Sequence, residues 1–156
     1  GMVTNDRGVT VWLKGNRCSR NQIMAIKEES VTEQKNSLAV CLDNILRHAG
    51  ITRNTEYDLA QGKTATTILS ENMTGVQVLD LSGCTLDAVL YYVNQDIPVL
   101  AILEDGEAVL VTGFNEFNVV IMEPSTGKLY KKGMNDATTW FAENGNHFIS
   151  YMKIDN

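Results

Sequence analysis

Gly106-Glu107-Ala108-Val109-Leu110-Val111-Thr112-Gly113-Phe114, continued by Val119-Val120-Ile121-Met122-Glu123-Pro124-Ser125-Thr126-Gly127, is the stretch on which the fold turns. Its two runs are rich in β-branched and apolar residues and are bounded by Gly, Asn and Pro, which reads as two strands. Upstream, Pro98 to Leu103 has the same character, and Glu104-Asp105-Gly106 supplies a tight turn between it and the strand from Ala108 to Phe114. Pro124 stops the strand ending at Glu123, because it has no N–H to offer a neighbour. Downstream, Lys128 to Lys132 continues the sheet, Asn135 to Ala142 reads as a short helix, and Phe148 to Met152 alternates as a last strand.

The first half has a different period. From Ser37 to Ala49 the apolar residues fall at Leu38, Cys41, Leu42, Ile45, Leu46 and Ala49, which is one buried helical face. Ser37 is suited to cap that helix and Gly50 to stop it. A second helical region covers Glu56 to Asn72 with a break near Gly62, Val76 to Leu79 reads as a short strand, and Thr85 caps a helix through Val93. Ahead of these, Val9 to Leu13 suits a strand and Asn21 to Glu28 a helix. Arg7, Lys14, Arg17 and Arg20 make this the most basic part of the chain. Helices first and an antiparallel sheet afterwards predict an α+β fold with N-terminal helices packed on a C-terminal sheet. Phe141, Phe148, Trp140 and Tyr151 are expected in the core, with Tyr91 and Tyr92 divided between core and surface.

At 156 residues the chain is one domain's worth of sequence, and 44% hydrophobic with 21% charged residues is ordinary for a globular protein. A formal charge of −6 disfavours nucleic acid as a partner, since phosphates call for Lys and Arg. No apolar run approaches the roughly 20 residues of a membrane helix, so no membrane insertion by this segment is expected. Gly1-Met2 reads as a scar of expression, and the segment as one domain of a longer chain. Cys18, Cys41, Cys84, His48 and His147 show no metal-ligand spacing, and neither a metal nor a cofactor is expected. The acidic turn Glu104-Asp105 with Glu107 reads as a solvated surface that, together with Glu123, would make only a weak cation site.

The stretches from Ser37 and from Gly106 together resemble the C39-like cysteine peptidases, papain-like bacterial domains. In that family a Cys-Gly-x-Ala-Cys-Leu pattern opens a long helix, and a Gly follows thirteen positions after the nucleophile. Ser37-Leu38-Ala39-Val40-Cys41-Leu42 with Gly50 keeps that length. The nucleophile position then falls on Ser37, while Cys41 matches the second, non-catalytic cysteine. In the family a Gly-His pair opens the strand that ends in Thr-Gly-Tyr, and the next strand ends in Asp-Pro. Here those positions carry Glu107 and Glu123, in place of the base and the residue that orients it. Leu38 replaces the small residue after the nucleophile. The region of the oxyanion glutamine reads Val31-Thr32, with Gln34 close behind. The resemblance therefore implies a papain-like domain over residues 31–156, degenerate at its catalytic positions Ser37, Glu107 and Glu123. Residues 1–30 would be an N-terminal extension or a junction to a neighbouring domain.

The function implied is a non-catalytic domain that binds a peptide or a neighbouring protein segment in a vestigial cleft, since strand pairing and side-chain pockets need no nucleophile. One alternative is an active peptidase, through Ser37 with an unusual carboxylate base or through Cys41 in a shifted register. Another is a structural module of a larger bacterial surface or transport protein, with an extracytoplasmic or membrane-attached setting. His48 follows Cys41 by seven residues, roughly 10 Å along a helix, so the two cannot form a dyad within it. His147 reads as a surface or strand-edge residue. The plain reading of Glu107 is a solvated hairpin position.

Overall fold

A computed structural model describes residues 2–4, 10–12 and 36–154. The elements are β1 (Met2–Thr4), β2 (Thr10–Trp12), α1 (Ser37–His48), α2 (Glu56–Ala60), α3 (Ala65–Asn72), β3 (Val76–Asp80), α4 (Leu86–Asn94), β4 (Val99–Ile102), β5 (Ala108–Phe114), β6 (Asn118–Glu123), β7 (Lys128–Gly133), α5 (Met134–Glu143) and β8 (His147–Lys153). The α+β reading holds. The six strands from β3 onward form one antiparallel sheet in the order β3-β8-β4-β5-β6-β7, and β1 and β2 pair separately with each other. The strand read at Val9 to Leu13 is β2. The helix read at Asn21 to Glu28 and the segment from Val31 to Gln34 lie outside the described residues.

Sequence dictates α1 at both ends, with one correction. Asn36, not Ser37, is the N-cap: its Oδ1 accepts the N–H groups of Leu38 at 2.9 Å and Ala39 at 3.3 Å. Ser37 is the first helical residue, which frees its hydroxyl for another partner. At the far end Gly50 adopts φ +86, and Ile51 donates its N–H to the Leu46 carbonyl at 2.8 Å, so the last carbonyls are satisfied by a left-handed turn that glycine adopts without strain. Thr55, fully buried, donates its hydroxyl to Asp43 Oδ1 at 2.7 Å, and its N–H meets the same oxygen at 2.8 Å. These bonds tie the start of α2 to α1.

All seven residues of β5 are buried, which requires cover on both faces of the sheet. Two groups of helices provide it. One is α1 with α3, reaching β3, β4 and β5. The other is α4 with α5, reaching β4, β5 and β8 through α4 and β6 and β7 through α5. Cys41, Leu42, Ile45 and Leu46 from α1 join Leu100, Leu110, Val111 and Phe148 in one core. Phe141 and Phe148 meet edge to face at 5.3 Å between ring centres. Tyr91, Tyr92 and Trp140 are only partly buried against the core, and Lys132 lies 4.9 Å above the Trp140 ring. The open edge strand β7 carries Lys128, Lys131 and Lys132, charges that oppose pairing with another sheet.

Candidate functional site

The β4–β5 hairpin and the start of α1 meet at one point. Leu103 donates its N–H to the Glu107 carbonyl at 2.7 Å, which closes the hairpin on its β4 side. The next residue, Ala108, opposes Ile102 without that exchange, so its N–H points away from β4. On that side the register of β6 begins only at Leu110 opposite Met122. The donor of Ala108 would therefore be left without a strand partner, and Ser37 Oγ accepts it at 2.9 Å. The first hydroxyl of α1 thus sits beside the residue that follows Glu107, on the side where β6 ends at Glu123. No periodicity in the sequence could reveal this bond, since it links residues 71 apart.

Glu107 is exposed, and its N–H is held by Asp105 Oδ1 at 2.9 Å in the turn where Gly106 takes φ +85. Glu123 is half-buried. Its Oε1 accepts the Ser125 N–H at 3.3 Å and hydroxyl at 3.2 Å, and its carbonyl accepts the Gly127 N–H at 2.7 Å, so it organises the turn into β7. Burial first, and then the Glu123 charge, raises the Tyr130 phenol above its ordinary value.

Cys41 lies one turn inside α1 with no exposed surface. Burial, with a smaller contribution from the Glu123 charge, pushes its thiol well above the ordinary range. A thiol held neutral and out of contact with solvent is poorly placed to attack anything. Native protein treated with iodoacetamide at pH 8 is accordingly expected to leave Cys41 and the buried Cys84 unmodified. Site-resolved mass spectrometry should find both modified only after denaturation. Rapid alkylation of Cys41 in the folded protein would overturn this placement.

Neither histidine joins Ser37. His48 is at the other end of α1, where Nε2 lies 3.2 Å from the Asp96 carbonyl and 3.5 Å from its carboxylate. It borders a cleft of about 580 Å³ that Tyr151 and Lys153 also line. His147 opens β8, and its Nδ1 is 3.4 Å from Ser82 Oγ. In register His147 opposes Ile102, which opposes Ala108, so it stands two strand spacings, about 10 Å, from the Ser37 contact. The pairing of His147 with Ser82 was not foreseen from sequence, because it depends on β8 inserting next to β3. Among the described residues no three His, Cys, Asp or Glu side chains gather closely enough to hold a metal ion.

No protein-family model matches the chain, and no curated protein is similar to it at a significant level. Among solved structures it is similar to the crystal structure of a candidate C39-like peptidase from Bacillus anthracis. The TM-score is 0.69, with 14% sequence identity over 86% of this chain and 98% of that one. At that identity the likeness shows the fold: the chain has the C39-like peptidase architecture. No described helix is long and apolar enough to cross a membrane.

Proposed function

We propose that this domain uses a C39-like scaffold to bind an extended peptide or a neighbouring protein segment beside Ser37 and Glu107, without cleaving it. The observation that carries the reading is the 2.9 Å bond from the Ala108 N–H to Ser37 Oγ. It brings the helix start and the hairpin together as a papain-like centre requires, yet each histidine is engaged elsewhere. A serine hydroxyl needs a base to remove its proton, and a solvent-exposed carboxylate is a poor one. Cys41, the alternative nucleophile, is sealed in the core. Binding needs less: an exposed hairpin rim, a sheet edge and side-chain pockets suffice.

Selection of randomly displayed peptides tests this. Wild-type protein is expected to enrich a set of sequences, and Glu107→Trp, a bulky change at an exposed position, is expected to lose them while the fold is retained. Mass spectrometry of the enriched peptides after incubation should show them intact. Cleavage products would favour the hydrolytic reading, and no enrichment at all would favour a purely structural module.

A further inference from the structure

The sheet ends on one side at β7, whose outer edge pairs with no strand among the described residues. The Met134 N–H bonds the Phe117 carbonyl at 2.7 Å, and the β6–β7 register carries that alternation down the ladder, so Lys132, Tyr130 and Lys128 are the residues that exchange hydrogen bonds with β6. Leu129, Lys131 and Gly133 fall at the alternate pairs, and their N–H and C=O groups turn outward. A strand laid along this edge would find an unused ladder at those residues.

The side chains say what such a strand must carry. The chain has a formal charge of −6, yet Lys128, Lys131 and Lys132 stand together in β7, and no other described strand or helix holds more than one Lys or Arg. Arg53 and Lys63 are paired with Asp58 and Glu71, whereas Lys128 and Lys131 form no ion pair among the described residues. Glu123, the carboxylate opposite Lys128, is turned to the Ser125 hydroxyl. Alternation sets Lys128, Tyr130 and Lys132 on one face and Lys131 on the other, so cations flank an exposed aromatic ring. A second copy of the chain is the wrong occupant. Two β7 edges paired antiparallel, centred on Tyr130 or on Lys131, would set lysine opposite lysine, and like charges in that position are destabilising.

We infer that the β7 edge receives an extended acidic segment of another protein, added as one more strand with carboxylates opposite Lys128, Lys131 and Lys132 and an apolar side chain on Tyr130. Main-chain bonds hold such a strand and the alternating side chains select it. The lysines that keep like edges away thereby choose a strand of opposite sign. This surface lies two strands from the Ser37 contact on β5 and does not depend on the reading given there.

The probes are two blocked pentapeptides, acetyl-Glu-Glu-Val-Thr-Glu-amide and acetyl-Gln-Gln-Val-Thr-Gln-amide, titrated into the whole chain and followed by backbone amide NMR. Antiparallel to β7, the first sets its glutamates opposite Lys132, Lys131 and Lys128 and its valine opposite Tyr130. It is expected to shift the amides of Leu129, Lys131 and Gly133 and to slow their exchange with solvent. It should bind about tenfold more tightly than the glutamine peptide at low salt, as a few modest exposed ion pairs together supply, and added salt should shrink the preference. Reversing the exposed charges with Lys128→Glu and Lys131→Glu together should abolish it and favour acetyl-Lys-Lys-Val-Thr-Lys-amide instead, a swap that a misfolded variant would not show. Equal affinities in wild type, shifts confined to other surfaces, unslowed exchange, or no shift up to millimolar concentration would each overturn the inference while leaving peptide binding at Ser37 standing. Self-association of the wild type that the double reversal abolishes would assign the edge to a second copy and overturn it as well.

Discussion

A protein carrying Ser37→Cys and Glu107→His together is expected to gain a reactive thiol that neither single change creates. Position 37 is the first residue of a twelve-residue helix, where the positive end of the helix dipole favours a thiolate. Its side chain already reaches the backbone next to position 107. With Glu107 in place, a nearby carboxylate disfavours the thiolate, and the Ser37→Cys single variant should alkylate like an ordinary thiol or more slowly. An imidazolium at 107 reverses the sign. A fall in thiol pKa from about 8.5 to about 6 would give roughly a hundredfold more thiolate at pH 6, offset in part by its lower nucleophilicity, for a net gain of about tenfold in rate. The measurement is iodoacetamide alkylation against pH in a Cys18→Ser background, comparing the double variant with each single one. If the double variant alkylates no faster at pH 6 than Ser37→Cys alone, the two positions do not face each other, and the vestigial-centre reading fails.

The second large effect concerns the platform beneath that centre. Leu42→Ala is expected to cost about 2–5 kcal/mol, the range for truncating a large apolar side chain in a close-packed core. Leu42 has no exposed surface and lies on the face of α1 that packs over β4 and β5. Against a total stability of about 5–15 kcal/mol that is a major fraction, and it should appear as a lower urea midpoint at an unchanged slope. Ser37→Ala, which removes only the acceptor for the Ala108 donor, should cost about 1 kcal/mol by the same assay. A loss below that for Leu42→Ala would mean that α1 is not seated on the sheet as described.

The parts of this structure that were legible in the sequence are those set by local rules. The apolar face of α1, the Gly50 stop, the Thr85 cap and the β4–β5 turn each follow from residues within a few positions of one another. From α1 onward the observed elements fall within a residue or two of the expected ones, whereas β1 was not among them. Even the misassigned cap is a local matter: Asn36 and Ser37 are both good caps, and only the hydroxyl's engagement with Ala108 separates their roles. Strand order was not legible. Nothing in the alternation of Phe148 to Met152 says that this strand lies between β3 and β4, and the pairing of His147 with Ser82 follows from that insertion. The adjacency of Ser37 and the hairpin was approached only through a family resemblance, because no local rule relates a helix start to a turn 71 residues away.

The insertion of β8 also governs how the chain must be assembled. Strands β4 to β7 form a meander whose pairings can close as each hairpin is made. β3 can join the sheet only through β8, so Val76 waits for Lys153. Loop closure over that span comes at an entropic cost before any contact repays it. During synthesis from the N-terminus, β3 would emerge before its strand partner and stay out of the sheet until β8 has been made, held near the meander meanwhile by the packing of α3 on α1. The last seven-residue strand is therefore the keystone of the sheet. A chain cut at Asn146 would lose the strand that joins β3 to β4 and leave the packing of α3 on α1 to hold β3 beside the meander, where a cut removing an edge strand would only narrow the sheet.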